Sequence, residues 1–308
     1  GGASSLLSLP AGGVTLADKR AVTDRLLRSG ADIRALNTVR KHLSRIKGGR
    51  LARVASPARV LGLVLSDVAG DPIDVIASGP TAPDPTTFAE ARAILERYDP
   101  QDTLPAGPRE HLRDGEAGKH PETPKPGDRH LCEINNVIVG NNRDALEAVR
   151  DAALERGYDA RIVSGALAGE ARDAAAAEAL EAREARAHVR SGAAPAALLW
   201  GGETTVTVRG SGRGGRNTEA ALAFAMAVDG LPDVVGLFAG TDGTDGPTDA
   251  AGAIATGETG ARARGMGLDP RAFLDQNDSY SFFERAGGLL MTGPTMTNVM
   301  DVHIVLVG

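Results

Sequence analysis

Several short apolar runs in this 308-residue chain stop abruptly in loops of Gly, Asp, Ser and Thr, and that punctuation limits the fold. Val60-Leu61-Gly62-Leu63-Val64-Leu65 ends in Ser66-Asp67, and Val234-Val235-Gly236-Leu237-Phe238 ends in Ala239-Gly240-Thr241-Asp242. A continuous apolar run of this length reads as a strand buried on both faces, the habit of a parallel sheet covered by helices. Helical spacing fills the intervals. One helix is expected from Thr15, a possible N-cap, to about Ser29, with Gly30 past its end, and another from Asp32 through Ile46, stopped by Gly48-Gly49. Thr87 to Tyr98 is a third. Farther on come a strand at 136–140, a helix from about Asn142 to Arg156, a strand at 158–163 and a long Ala-rich helix from Gly169 to about Val189. Strands follow at 196–200 and 204–208, then a helix from about Asn217 and a last strand at 302–306. The alternation predicts an α/β chain whose sheets are mostly parallel or mixed, with helices on both faces.

The length suffices for two packed cores. Between about Pro105 and His130 prolines and charges accumulate, so a linker is expected there, dividing the chain into residues 1–130 and 131–308. A net charge of −6 and few aromatics argue against a nucleic-acid partner. No run is apolar enough for a bilayer, so no membrane partner is expected. The single cysteine, Cys132, reads as a small core residue and the compartment as a reducing cytoplasm. Any catalytic lysine must come from Lys19, Lys41, Lys47, Lys119 or Lys125.

Three loops carry the chemistry. Gly210, Gly212 and Gly215 satisfy G-x-G-x-x-G between an expected strand and an expected helix. A dinucleotide site also needs an acid ending the next strand about twenty residues on, and Asp242 comes several residues too late. Arg213 and Arg216 at a helix N-terminus instead suit a phosphate or carboxylate cradle; the alternative is a tight turn with solvated arginines. In the second loop, Asp242, Asp245 and Asp249 alternate with hydroxyls at a strand end, where open α/β sheets place ligands. Such a set suits Mg²⁺ on a polyphosphate, or a base for a substrate hydroxyl, or merely a series of Asx turns. It is no calcium loop, because Ala253 stands where the bidentate glutamate belongs. The third loop holds Asp67 and Asp71, followed by Ser78-Gly79. Arg40, Lys41, Ser44 and Lys47 share a helical spacing that either holds phosphate or is a solvated basic face. A Walker loop is absent, since Gly118-Lys119 runs into His120; a G-x-S-x-G elbow and zinc-type histidine spacing are absent too.

Five strings, 37–49 (NTVRKHLSRIKGG), 66–81 (SDVAGDPIDVIASGPT), 215–219 (GRNTE), 239–252 (AGTDGTDGPTDAAG) and 292–298 (TGPTMTN), resemble the type II glycerate kinases. The C-terminal half of that family is called the MOFRL domain, here about 193–308. The resemblance implies two Rossmann-like domains and ATP-dependent phosphorylation of D-glycerate at its 2-hydroxyl, with Mg²⁺. It implies that Arg216 engages the glycerate carboxylate or the transferred phosphate, with Arg40 and Lys47 candidates for the same task. Either Asp245 or Asp67 would take the hydroxyl proton, and Asp242, Asp249 and Asp71 would serve the metal. Gly2, Ser4, Ser5, Ser78, Gly79, Gly212, Gly214, Asn217, Thr244, Thr295 and Asn298 would contact substrate or nucleotide. Family members also carry a longer upstream segment with a lysine thought to serve the active site, so this chain is expected to start within a domain. A homodimer is left open. The rival expectations are an NAD(P)H-dependent hydroxypyruvate reductase and a non-catalytic domain that binds a sugar acid or nucleotide.

Overall fold

The computed structural model describes residues 6–308, which form two compact units. The first comprises residues up to Val64 and Gly70–Val139; the second takes Leu65–Ala69 and Gly140–Gly308.

In the first unit, α1 (Leu16–Arg28) opens on a capping box in which Thr15 accepts from Asp18 N–H and the Asp18 carboxylate accepts from Thr15 N–H. α2 (Ile33–His42) is capped by Asp32, and α4 (Phe88–Tyr98) by a Thr87–Glu90 box, with the short α3 (Arg50–Ala55) between them. Their apolar stripes meet in a core of Val22, Leu26, Val39, Leu43, Phe88 and Leu95. The proline-rich stretch expected as a linker instead folds against this core. α5 (Ala106–Glu116) buries His111 and Leu112, and Gly115 lies so close to Phe88 that a Cβ there would sit 2.3 Å from its ring. Burial at helical spacing of Pro108, His111, Leu112 and Gly115 outweighs the charges that suggested a tether. β1 (Val60–Leu65) pairs with β2 (Ile134–Gly140). Cys132, expected in a core, is exposed.

The second unit is a six-stranded sheet in the order β3 (Asp159–Leu167), β4 (Ala196–Gly202), β8 (Asp301–Val307), β5 (Val234–Gly240), β6 (Gly252–Thr256), β7 (Leu289–Leu290). The mixed arrangement holds: β3 and β4 are parallel, and every other neighbouring pair is antiparallel. The reason is β8, which inserts between β4 and β5 and opposes both. All seven residues of β4 are buried, as a strand covered on both faces requires. α6 (Asn142–Leu154) packs through Leu146 against Leu199 and Val302. α7 (Ala171–Arg190) presents Ala171, Ala175, Ala179, Ala182 and Ala185 to the core that it shares with α8 (Arg216–Ala227). That row of small residues allows two helices to approach closely. Three short helices, α9 (Thr259–Gly265), α10 (Pro270–Asp275) and α11 (Ser279–Ala286), complete the unit. The strand expected over 204–208 does not form; only Thr205 makes a bridge, to Glu170.

Candidate functional site

The antiparallel insertion of β8 decides which side chains meet in the second unit. Asp301, its first residue, lies opposite Gly202 at the end of β4 and Gly240 at the end of β5. Glu203 follows β4 and Asp242 follows β5, so acids gather at one edge of the sheet. Arg216, the first residue of α8, reaches into them. Its Nε donates to Asp301 Oδ2 at 2.5 Å and its Nη2 to Asp301 Oδ1 at 3.0 Å, a fork-to-fork pair. Its Nη1 lies 2.7 Å from Glu203 Oε1. Asp301 is almost wholly buried while a third of the Arg216 side chain stays exposed, so the guanidinium is fixed by Asp301 and the side chain also lines the neighbouring cavity. Burial opposes the Arg216 charge, but the bonds and charges of Asp301 and Glu203 outweigh it and raise its pKa above the ordinary value. Glu203 is pushed up, by burial first and then by Asp301, Asp67 and Asp242 against the opposing pull of Arg216. A cavity of about 540 Å³ runs from Glu203 and Arg216 past Val208, Gly212 and Gly214 to Asn277.

The glycine loop turns inward and packs on the chain. A Cβ on Gly210, Gly212, Gly214 or Gly215 would come within 2.4 Å of Gln276, Asp278, Ser279 or Asp245, so these glycines let the loop pack on the chain. Four of its N–H groups are engaged there as well. Those of Arg209 and Gly210 donate to Asn277 Oδ1, that of Gly212 to Gln276 O, and that of Arg213 to Asp278 Oδ1. The anion position at the start of α8 belongs to Asp245, which accepts from Asn217 N–H at 2.9 Å, Thr218 N–H at 2.8 Å and Thr218 Oγ1 at 2.8 Å. Asp245 is 1% exposed. Burial raises its pKa, those three bonds lower it, and Asp301 raises it, the net direction being upward. With its oxygens engaged inside the protein, Asp245 is a helix cap rather than a base open to substrate.

The rest of the GRNTE string is likewise turned inward. Asn217 donates to Asp245 and accepts, 3.2 Å away, from His303 Nε2, whose Nδ1 lies 2.9 Å from Glu178 Oε1; all are buried. Glu219 binds Arg172 and Asn277, and Thr218 binds Ser279. Of the five letters, only Arg216 offers its functional group to the acids at the sheet edge.

The other expected residues of this unit divide. Asn298 Nδ2 donates to Asp67 Oδ2 at 3.3 Å, Thr295 N–H to Asp242 O at 3.2 Å, and Thr295 Oγ1 to Thr241 O at 2.5 Å. Thr241 Oγ1 in turn bonds Met300 O and accepts from Val299 N–H, so the 292–300 loop is stitched to the turn after β5. Met296 and Met300 take positive φ in that loop, a strained conformation of the sort that gathers at functional sites. Thr244 is exposed and its N–H donates to Asp242 Oδ1. Asp249 instead accepts from Tyr280 Oη at 2.7 Å, over whose ring Arg213 lies 3.8 Å away. Asp71 lies in the first unit, and among the described residues no cluster of three His, Cys, Asp or Glu is arranged to hold a metal. Sequence reasoning missed Glu203 and Asp301. Glu203 carried the same signal as the others, an acid just past an apolar strand, whereas Asp301 opens a strand whose antiparallel sense was not legible.

In the first unit, α2 ends at His42, so the expected basic helix face breaks up. Lys41 turns inward to Asp84 at 3.2 Å and Asp74 at 3.4 Å. Ser44 Oγ accepts from the N–H groups of Ile46 and Lys47 in the following turn. Lys47 Nζ donates to Ala77 O at 2.8 Å, and Gly48 and Gly49 N–H groups bond Ser78 O and Gly79 O. Ala77, Ser78 and Gly79 are consecutive left-handed residues, with Ser78 Oγ held by Asn37 Oδ1 at 2.9 Å. Lys47 and Arg40 line one small cavity of this unit. Gly2, Ser4 and Ser5 lie outside the described residues. No described helix is long and apolar enough to cross a membrane.

Two family models match the chain: a domain of unknown function, DUF4147, over residues 1–113 and the MOFRL family over residues 196–301. The chain is 46% identical to the D-glycerate 2-kinase of Thermotoga maritima over all of its own length and 70% of the relative's. It is 48% identical to a putative hydroxypyruvate reductase of Agrobacterium vitis, covering 68% of that protein. The crystal structure of the glycerate kinase from Thermotoga maritima superposes with a TM-score of 0.88 at 45% identity, over the whole of this chain and 71% of that one. The chain belongs to the glycerate kinase family.

Proposed function

We propose that the protein transfers the γ-phosphoryl group of ATP to the 2-hydroxyl of D-glycerate, giving 2-phosphoglycerate and ADP. The observation that carries this reading is Arg216, held by Asp301 and Glu203 with its outer edge exposed at the sheet edge, in a chain so similar to a D-glycerate 2-kinase. A planar fork of this kind suits a carboxylate or a phosphoryl oxygen pair, and a fork fixed in advance loses little entropy on binding.

In-line transfer needs the acceptor hydroxyl aimed, its proton removed and the phosphate charge balanced. Arg216 aims the glycerate through its carboxylate. Asp67 takes the proton as the oxygen–phosphorus bond forms and the bond to ADP breaks. It is exposed, is oriented by Asn298, and lies near enough to Glu203 to influence its charge. The donor set at the edge is carboxylate, the chemistry a hard cation takes, and Mg²⁺ characteristically uses one or two carboxylates with phosphate oxygens and water. Asp242 would hold Mg²⁺ in that way, and the ion would supply neutralisation of the phosphate charge.

The reductase name of the Agrobacterium vitis relative supports a second reading. The glycine loop weighs against it, because its glycines and amides are used in packing on Gln276–Ser279 rather than left for a pyrophosphate. Side-by-side turnover separates the two. The kinase reading expects ATP- and D-glycerate-dependent ADP release and no NADH consumption with hydroxypyruvate. NADH-dependent loss of hydroxypyruvate without ADP release would replace it.

A further inference from the structure

One buried amide stands behind both Arg216 and Asp67. Asn142, the first residue of α6, is 4% exposed, and its Nδ2 donates to Val299 O at 2.8 Å and to Asp301 O at 2.9 Å. Those two carbonyls bracket Met300, which is left-handed with a φ of 68°. Met300 N–H donates to Asn298 Oδ1 at 3.1 Å, and the other end of that side chain, Nδ2, is thereby aimed at Asp67. On the far side of Met300, Asp301 sends its carboxylate to Arg216. Helix capping does not account for Asn142, because Asn141 is the N-cap of α6 and forms a reciprocal box with Asp144. Asn142 Oδ1 is buried and has no hydrogen-bond partner among the described residues, a cost that a residue kept for stability alone would not carry. β4 leaves room for it, since a Cβ on Gly201 would come 1.9 Å from Asn142 Oδ1.

We propose that Asn142 is a positioning residue of this site: its single amide nitrogen fixes the left-handed turn at Met300, and through it both the Asp301 carboxylate that grips Arg216 and the Asn298 amide that orients Asp67. A primary amide carries two N–H donors on one uncharged atom, one for each carbonyl. Serine offers one donor and an ionised aspartate none, while lysine or arginine would bring a charge into a buried place. Thr241 takes the carbonyl between those two, donating its N–H and its Oγ1 to Met300 O and accepting from Val299 N–H. Three successive carbonyls are thus held, and a strained residue persists only where its surroundings over-determine it in this way. The inference rests on the kinase reading for its purpose, since there Arg216 aims the substrate and Asp67 takes its proton. The geometry it concerns exists without substrate.

The test reads the Arg216 fork first, by NMR of ¹⁵N-labelled protein without substrate. The Arg216 Nε–H signal is identified by its loss in Arg216→Lys. In Asn142→Ala it is expected to move toward the position of a free guanidinium, while the backbone amides of β4 and β5 keep their shifts. Asn142→Ser, which keeps one donor, is expected to fall between the two. Should Asn142→Ala not fold, Asn142→Ser and Gly201→Ala decide, the latter because its methyl group displaces the amide without removing it. In turnover of ATP and D-glycerate, Asn142→Ala is expected to lower kcat by about 30-fold, with partial rescue in Asn142→Ser. The loss in Asn142→Ala/Asn298→Ala is expected to fall well short of the product of the two single losses, because the first residue acts partly through the second. An unchanged Nε–H signal in a folded Asn142→Ala protein overturns the proposal, as do independent, multiplying losses in the double variant. A wild-type protein that transfers no phosphate would count against the kinase reading alone, and the Nε–H signal would still decide whether Asn142 sets the fork.

Discussion

The two units handle charge in opposite ways. In the second, Arg216 is enclosed by Asp301 and Glu203, with Asp67 and Asp242 close enough to act on Glu203, so the cation is balanced and aimed before any ligand arrives. In the first, Lys19, Arg20, Arg40 and Lys47 line one cavity in which Asp24 is the one carboxylate among the described residues, and burial and repulsion depress the Lys47 pKa. A balanced, rigid fork orients a group during chemistry; an unbalanced basic cavity favours capture of an anion.

The contrast can be broken first at Arg216. Arg216→Lys keeps the charge but loses the fork to Asp301, and kcat/KM for D-glycerate should fall by about 10²–10³ with little change in melting temperature. Removing His303 probes the buried support instead. His303→Ala leaves Glu178 unpaired in the interior and should cost about 3 kcal/mol in urea unfolding. Asp245→Ala frees the first amides of α8 and should cost about 2 kcal/mol, with a smaller effect on kcat than Asp67→Asn. If Asp245 were the base, the two variants would exchange their kinetic effects.

The smallest effect belongs to Lys47. Its folded pKa of about 8 lies below its ordinary 10.5, so between those values the unfolded chain binds the extra proton. Its contribution to stability therefore rises with pH across that window, and Lys47→Met should flatten the slope of unfolding free energy from pH 8 to 10.5.

Much of this was legible in the sequence because the signals are local. Thr15 and Thr87 mark helix starts through their own side chains, and the apolar run at 196–200 marks β4, whereas the run at 60–65, read as buried on both faces, leaves Leu61 and Leu63 exposed. Arg216 was legible as the arginine that opens α8, but its partners Asp301 and Glu203 were not. Strand direction was not. β8 pairs with β4 and β5 from far along the chain, and its antiparallel sense brings Asp301 to the edge where the parallel reading looked only for strand ends. Among the acids after β5, Asp245 misled for a related reason. A helix N-terminus attracts a carboxylate wherever it comes from, and Asp245 reaches it from 28 residues away. Lys19 and Arg20 could not be grouped with Arg40 and Lys47 from the sequence, because only the fold brings α1 beside α2 and the Lys47 turn.

The most direct test of the account is ³¹P NMR of D-glycerate incubated with ATP and Mg²⁺, run with the wild-type protein and with Arg216→Lys. A 2-phosphoglycerate signal is expected to grow with the wild type and to be slowed by about two to three orders of magnitude in the variant. Phosphate on the 3-hydroxyl, or equal rates for the two proteins, would contradict the role given to Arg216 at the acid-lined edge of the second unit.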